Sequence, residues 1–150
     1  MIGIVDHQDG SAVRVISVSA VVFTRPDGAV VTVRKSGTDR FMLPGGKWER
    51  DESPLQCAIR ELDEELGVLL APGQLTPLGG FTTATANEPG FRLVSEVFAA
   101  SVDRRPQPRA EIAEARWVAA AEMTRIARLP ESDCAPWAPL LVRVAREHLT

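Results

Sequence analysis

Apolar and β-branched positions cluster first into short, dense runs. From Ala12 to Thr24 the run AVRVISVSAVVFT is rich in β-branched residues, and Ala29 to Arg34 (AVVTVR) resembles it. Pro26-Asp27-Gly28 between them carries turn chemistry, so the pattern predicts two paired strands. Phe41-Met42-Leu43 predicts a further short strand. Pro44-Gly45-Gly46 after it predicts a sharp loop, since two glycines open conformations closed to other residues.

The pattern then changes period. Ser53-Pro54-Leu55-Gln56 has the marks of a helix start: Ser as N-cap, Pro at the first helical position, and Gln placed to close a capping box. Gly67 ends it. Between them Leu55, Ala58, Ile59, Leu62 and Leu66 fall within roughly 100° of one face, whereas Glu61, Glu64 and Glu65 occupy a different arc. Downstream, Leu78 to Asn87 and Phe91 to Val102 predict a second hairpin across Glu88-Pro89-Gly90. Arg104 to Arg109, with Pro106 and Pro108, predicts a loop. Glu114 to Val118 predicts a last strand, followed by helices over Ala119 to Arg128 and Pro136 to about Leu149. Strands on both sides of a capped helix, with helices at the end, predict a mixed β-sheet sandwiched between helices, an α/β/α arrangement in the α+β or α/β class.

At 150 residues and 45% hydrophobic content the chain can bury one substantial core, so a single domain over 1–150 is expected. No stretch approaches the roughly 20 apolar residues that span a bilayer, and Met1 to Gly10 lacks the features of a secretory signal. These features predict a soluble, cytoplasmic protein with no membrane partner. Cys57 and Cys134 match no metal-ligand spacing and are expected to be buried thiols.

The net charge of −3 conceals an uneven distribution: Gly46 to Val68 holds seven acids against three bases, and the remainder sums to +1. A mildly acidic chain without a basic stripe is a poor candidate for binding duplex nucleic acid. Local acidity points to a cation.

Residues 46–68 read as G-x5-E-x7-R-E-U-x-E-E-x-G-U, with U aliphatic: Gly46, Glu52, Arg60, Glu61, Leu62, Glu64, Glu65, Gly67, Val68. Glutamates at i, i+3 and i+4 of a helix project together, where their like charges repel. A hard cation such as Mg²⁺, which takes oxygen ligands and keeps substrate phosphates in its shell, resolves that conflict. Arg60, beside Glu61 and four residues before Glu64, can orient carboxylates by charge-assisted hydrogen bonds. This segment closely resembles the Nudix box with every position filled, and the preceding Leu43-Pro44-Gly45-Gly46 and the flanking strands resemble the Nudix fold.

The resemblance implies metal-dependent hydrolysis of a diphosphate bond in a nucleoside diphosphate linked to another moiety. It implies Glu64 and Glu65 as principal Mg²⁺ or Mn²⁺ ligands, Glu61 as a further ligand or the base that activates water, and the Gly45 carbonyl as an additional ligand. Gly46, Glu52 and Gly67 take structural places in the motif, and an acid outside it is expected to join: Glu111 first, Glu114 second. A metal-activated water would attack phosphorus, with positioning and charge neutralisation supplying most of the acceleration.

Other residues carry less. Trp48 can stack on a base or pack the loop, and Arg34, Lys35, Arg40, Lys47 and Arg92 are candidate phosphate contacts. Trp117 and Phe98 are expected in the core, Trp137 as an anchor of the last helix, and His7 and His148 in solvent. The chain has no tyrosine and lacks the further signatures of the dinucleoside-polyphosphate, NADH and coenzyme A subgroups. Nucleoside triphosphates including oxidised ones, ADP-ribose and nucleotide sugars remain. A module that senses such a nucleotide derivative without cleaving it is the competing function, and structural Ca²⁺ binding lacks its loop spacing. The apolar stretch Pro136 to Val144 has two candidate partners, the chain's own sheet or a second copy in a homodimer.

Overall fold

The computed structural model describes residues 2–6, 12–101 and 103–149. Among them the chain forms strands β1 (Ile2–Asp6), β2 (Ala12–Thr24), β3 (Val30–Lys35), β4 (Phe41–Met42) and β5 (Gly45–Lys47), then helix α1 (Pro54–Leu66) and a 3-10 turn at Pro72–Gln74. β6 (Thr76–Ala84), β7 (Phe91–Ser101), β8 (Ile112–Val118), α2 (Ala120–Ile126) and α3 (Pro139–His148) follow. None of these helices is long and apolar enough to cross a membrane.

β2 organises the sheet. It runs parallel to β7 from Arg14↔Phe91 to Thr24↔Ser101, while its other edge is shared by β1, which pairs with residues 12–16, and by β5, which pairs with residues 18–20. The predicted pairing of β2 with β3 is confined to Thr24↔Val30 at the turn. Beyond that point β3 diverges and pairs with β8 along its length and with β4 at Val33 and Arg34. A strand buried on both faces is apolar throughout, and this is why Val30 to Val33 carries so little polar character. The β6–β7 hairpin forms as predicted, with a register shift between Pro77 and Gly79.

Two elements depart from expectation. The segment Ile2–Asp6, for which no strand was predicted, forms β1. Gly45 and Gly46, expected in a sharp loop, lie in β5 against Ser19 and Ala20. Their lack of side chains serves close approach here: a Cβ on Gly45 would collide with the Ser19 carbonyl oxygen and sit 2.8 Å from Ala20 Cα.

Each face of the sheet carries its own core. Val21, Phe23, Val31 and Val33 pack against Ala58, Leu62 and Leu66 of α1, while Ala20, Val22 and Val30 meet α2 and α3 through Met123, Leu141 and Val144. Burying each large aliphatic side chain contributes about 1.5–3 kcal/mol. Leu140, Leu141, Val142 and Val144 are all buried within the chain, so the apolar C-terminal stretch packs on its own sheet. Trp137 is buried just before α3 with its ring tilted against Phe41 at 5.8 Å, and Phe98 is in the core. Trp117 is only half-buried: it packs against the edge of the α1-side core beside Phe23 and carries the Arg25 guanidinium at 4.5 Å on its ring. Both cysteines are free and buried. His148 is exposed with one edge on Phe81, and His7 lies outside the described residues.

Candidate active site

α1 supplies most of the acidic groups, and its geometry follows from its caps. The Ser53 hydroxyl accepts from the Gln56 backbone N–H at 3.1 Å while the Gln56 side chain accepts from Ser53 N–H at 2.9 Å. At the other end Gly67 turns left-handed at φ 67° and donates to the Asp63 carbonyl. A second anchor ties the helix start to the sheet, where Ser19 Oγ donates to the Pro54 carbonyl at 2.7 Å.

The three glutamates of the helix have different surroundings. Glu65 is 1% exposed; its Oε1 accepts from the Gly45 N–H at 2.8 Å, and its Oε2 is buried with no partner. Burial pushes its carboxyl up to about 8 against the pull of the Gly45 bond, with Glu61 and Glu111 raising it further and Lys35 lowering it. Glu61 is also buried, and loss of solvation raises its pKa despite an Arg60 bond at 2.8 Å. Glu64 is exposed and receives Arg60 at 3.2 Å.

Arg60 connects them to the preceding loop. Its guanidinium grips Glu52 with two bonds, 2.6 and 2.8 Å, and donates to the Lys47 carbonyl at 3.2 Å. The hydrogen bond from Arg60 holds the Glu52 carboxyl down at about 2, and Glu52 in turn accepts from the Glu49 N–H. The bare Cα of Gly46 leaves room for the Glu61 carboxylate, which a Cβ there would push from its place. Cys57 donates to the Gly46 carbonyl at 3.3 Å, its thiol pushed up to about 11 by burial and then by the Glu52 charge.

Glu61, Glu64 and Arg60 border a cleft of about 480 Å³. Gly45, Glu61, Glu64 and Glu111 line one side, with Lys35, Lys47 and Arg60 among them, and Glu65 stands behind Gly45. Ile16, Val18, Leu93 and Leu140 form an apolar wall. Trp48 lines the cleft too, its indole N–H tied to Ser19 Oγ at 3.0 Å. Of the two acids considered outside the helix, Glu111 borders the cleft and Glu114 does not; Glu114 pairs with Arg34 at 3.3 Å across the β3–β8 ladder. Arg34 also donates to the Thr38 carbonyl, and Arg40 donates to the Trp137 carbonyl at 3.0 Å, so both are engaged away from the cleft lining. Arg92 is exposed on β7 outside it. The apolar wall is not legible in the sequence because its members come from three distant segments, β2, β7 and α3; alternation along β2 is the one available signal.

The donor set fits a hard divalent cation. It consists of carboxylate and carbonyl oxygens, and an unpartnered buried oxygen such as Glu65 Oε2 costs about 1–3 kcal/mol unless something compensates it. The acids are not yet gathered into a cage: among the described residues no three ligand side chains converge, and Glu61 and Glu64 turn oxygens toward Arg60.

Comparison with known proteins identifies the family and the fold. A model described as the NUDIX domain matches residues 13–138. The chain is 37% identical over 59 residues to an RNA pyrophosphohydrolase of Halorhodospira halophila, covering 39% of this chain and 32% of that one. It is 37% identical over 68 residues to a MutT-like protein of Streptomyces ambofaciens, covering 45% and 44%. The alignments thus span less than half the length of these curated relatives. A MutT NUDIX hydrolase from Burkholderia pseudomallei superimposes with a TM-score of 0.69 at 23% identity, covering 91% of this chain and 98% of that one. The NUDIX domain of Shewanella oneidensis NrtR, complexed with ADP ribose, gives 0.66 at 21% identity, covering 90% and 88%. Those two likenesses show a shared fold, and with the family model matching from β2 to the start of α3, the chain belongs to the NUDIX family.

Proposed function

We propose that this chain hydrolyses a diphosphate linkage in a nucleoside diphosphate derivative, with Mg²⁺ or Mn²⁺ as cofactor. The observation that carries the proposal is Glu65, a buried carboxylate with one unpartnered oxygen, set behind a cleft bordered by Glu61, Glu64 and Glu111. Glu64, Glu65 and the Gly45 carbonyl would hold the cation, with Glu111 as the acid from outside the helix. A bound divalent cation supplies charge neutralisation at phosphoryl oxygens and makes water a better nucleophile.

The chain's own residues do the rest. Glu61, its pKa raised by burial, is suited to taking the proton of the attacking water, or serves as a further ligand. Arg60 holds Glu52, Glu61 and Glu64 in register. Lys35 and Lys47 line the cleft and offer charge to phosphates, while Trp48 and the apolar wall offer a surface to the attached moiety.

Nucleoside triphosphates including oxidised ones, ADP-ribose and nucleotide sugars are the substrate classes that fit. RNA with a terminal diphosphate linkage joins them, since a curated relative bears the name RNA pyrophosphohydrolase. The test is release of phosphate, pyrophosphate or nucleoside monophosphate from this panel with Mg²⁺, Mn²⁺ or EDTA. Turnover of one class that vanishes in EDTA is expected. Nucleotide bound without turnover under every metal would overturn the proposal and mark a sensing module.

A further inference from the structure

We infer that Arg109 is a positioning residue that latches the segment 107–111 onto the C-terminal end of α1 and thereby sets where Glu111 stands at the cleft. The inference rests on the proposed role of Glu111 toward the cation. Its evidence is independent of that role.

The end of α1 has an electrostatic problem. Helix C-termini favour cations, yet the last turns of this helix carry Glu61, Asp63, Glu64 and Glu65, and its final turn has no basic residue. The missing cation comes from the loop before β8. Arg109 lays its guanidinium over Gly67, so closely that a Cβ on Gly67 would fall 2.6 Å from Arg109 Cζ. Gly67 therefore does two jobs, turning the chain left-handed and leaving room for the guanidinium.

The same loop takes up carbonyls that the helix leaves free at its end. Gln107 N–H donates to the Leu66 carbonyl and Arg109 N–H to the Glu65 carbonyl, each at 2.8 Å. The backbone of Glu65 and the loop carrying Glu111 are thus joined directly. Ala110 then adopts φ 53°, Ile112 N–H closes back onto the Arg109 carbonyl at 3.0 Å, and the Glu111 carbonyl accepts from Ser36 N–H at 2.7 Å. Held between α1 and the end of β3, Glu111 has little freedom except at its side chain, which faces the cleft.

The experiment has two arms, run on wild type, Arg109→Ala, Arg109→Lys, Glu111→Gln and Arg109→Ala combined with Glu111→Gln. Amide hydrogen exchange without metal reads the latch: the amides of Gln107 and of residues 109–112 should exchange about two- to fivefold faster in Arg109→Ala, with Arg109→Lys close to wild type. Mn²⁺ titration reads its consequence. Arg109→Ala should weaken Mn²⁺ binding about three- to tenfold, and should add no further loss once Glu111 is Gln. Unchanged exchange in Arg109→Ala, or an equal Mn²⁺ loss in the Glu111→Gln background, would overturn the inference. A wild type that takes up no Mn²⁺ would overturn the cation assignment instead, and the exchange arm alone would then decide the latch.

Discussion

Replacing Arg60 by Met keeps the aliphatic stem and removes the charge that four acids share. Those acids do not weigh equally. Glu49 and Glu64 are well exposed, and their ion pairs contribute little. Glu52 and Glu61 keep only 11% and 12% of their side-chain surface and lose their compensating guanidinium. Lowering the Glu52 carboxyl from 4.5 to about 2 corresponds to on the order of 3 kcal/mol, which solvent at the loop edge reduces to about 1–2 kcal/mol. The Glu61 bond adds about 1 kcal/mol. A destabilisation of about 2–3 kcal/mol follows, or about 5–10 °C in Tm for a chain of this length. The sign with pH is fixed by the direction of the shift. A carboxyl depressed in the folded state contributes fully above its unfolded value of 4.5 and loses that contribution as pH falls through about 2. The gap between wild type and Arg60→Met should be widest near neutrality and narrow below pH 4.5. Urea unfolding in EDTA, stepped from about pH 7 toward about pH 3, measures it. A gap under about 0.5 kcal/mol at neutrality, or one indifferent to pH, would refute the reasoning.

Two further changes probe the site's framework. With its thiol pushed up to about 11 and buried against Gly46, Cys57 should resist alkylation near pH 8 in the folded protein and label fully in denaturant; rapid labelling of the native chain, located by mass spectrometry, would contradict this. Gly45→Ala should force β5 off β2, costing about 1–3 kcal/mol in urea unfolding and disturbing the bond to Glu65; a variant as stable as wild type would show that the approach to Ser19 is not tight.

Local chemistry made much of the site legible from sequence. The capped helix α1 runs as its signals predict, because Ser53, Pro54, Gln56 and Gly67 each answer a local backbone need. The division of labour among its glutamates was also implicit in the 100° step. Glu65 lies about 20° from Ala58 at the edge of the apolar stripe, whereas Glu64 points away from it, so one is buried and the other exposed. What stayed hidden depends on pairing between distant segments. Glycines at 45 and 46 carry turn chemistry when read locally, and only the approach of β2 makes them strand residues. Glu111 and Glu114 are equivalent in composition, and the register Arg34↔Glu114 is what commits the second to an ion pair. Arg109 stands in a proline-interrupted loop with no motif, and its place over Gly67 appears only once that loop docks on the helix.

The most direct test of the central claim is metal-dependent turnover of Glu65→Gln beside wild type, using whichever panel substrate wild type cleaves. Gln can keep the bond from Gly45 N–H and removes a charge that burial penalises, so circular dichroism and unfolding in EDTA should show an intact fold. Turnover should be lost. Normal activity in this variant with the Mg²⁺ requirement retained would contradict the assignment of Glu65 to the metal and, with it, the proposed mechanism.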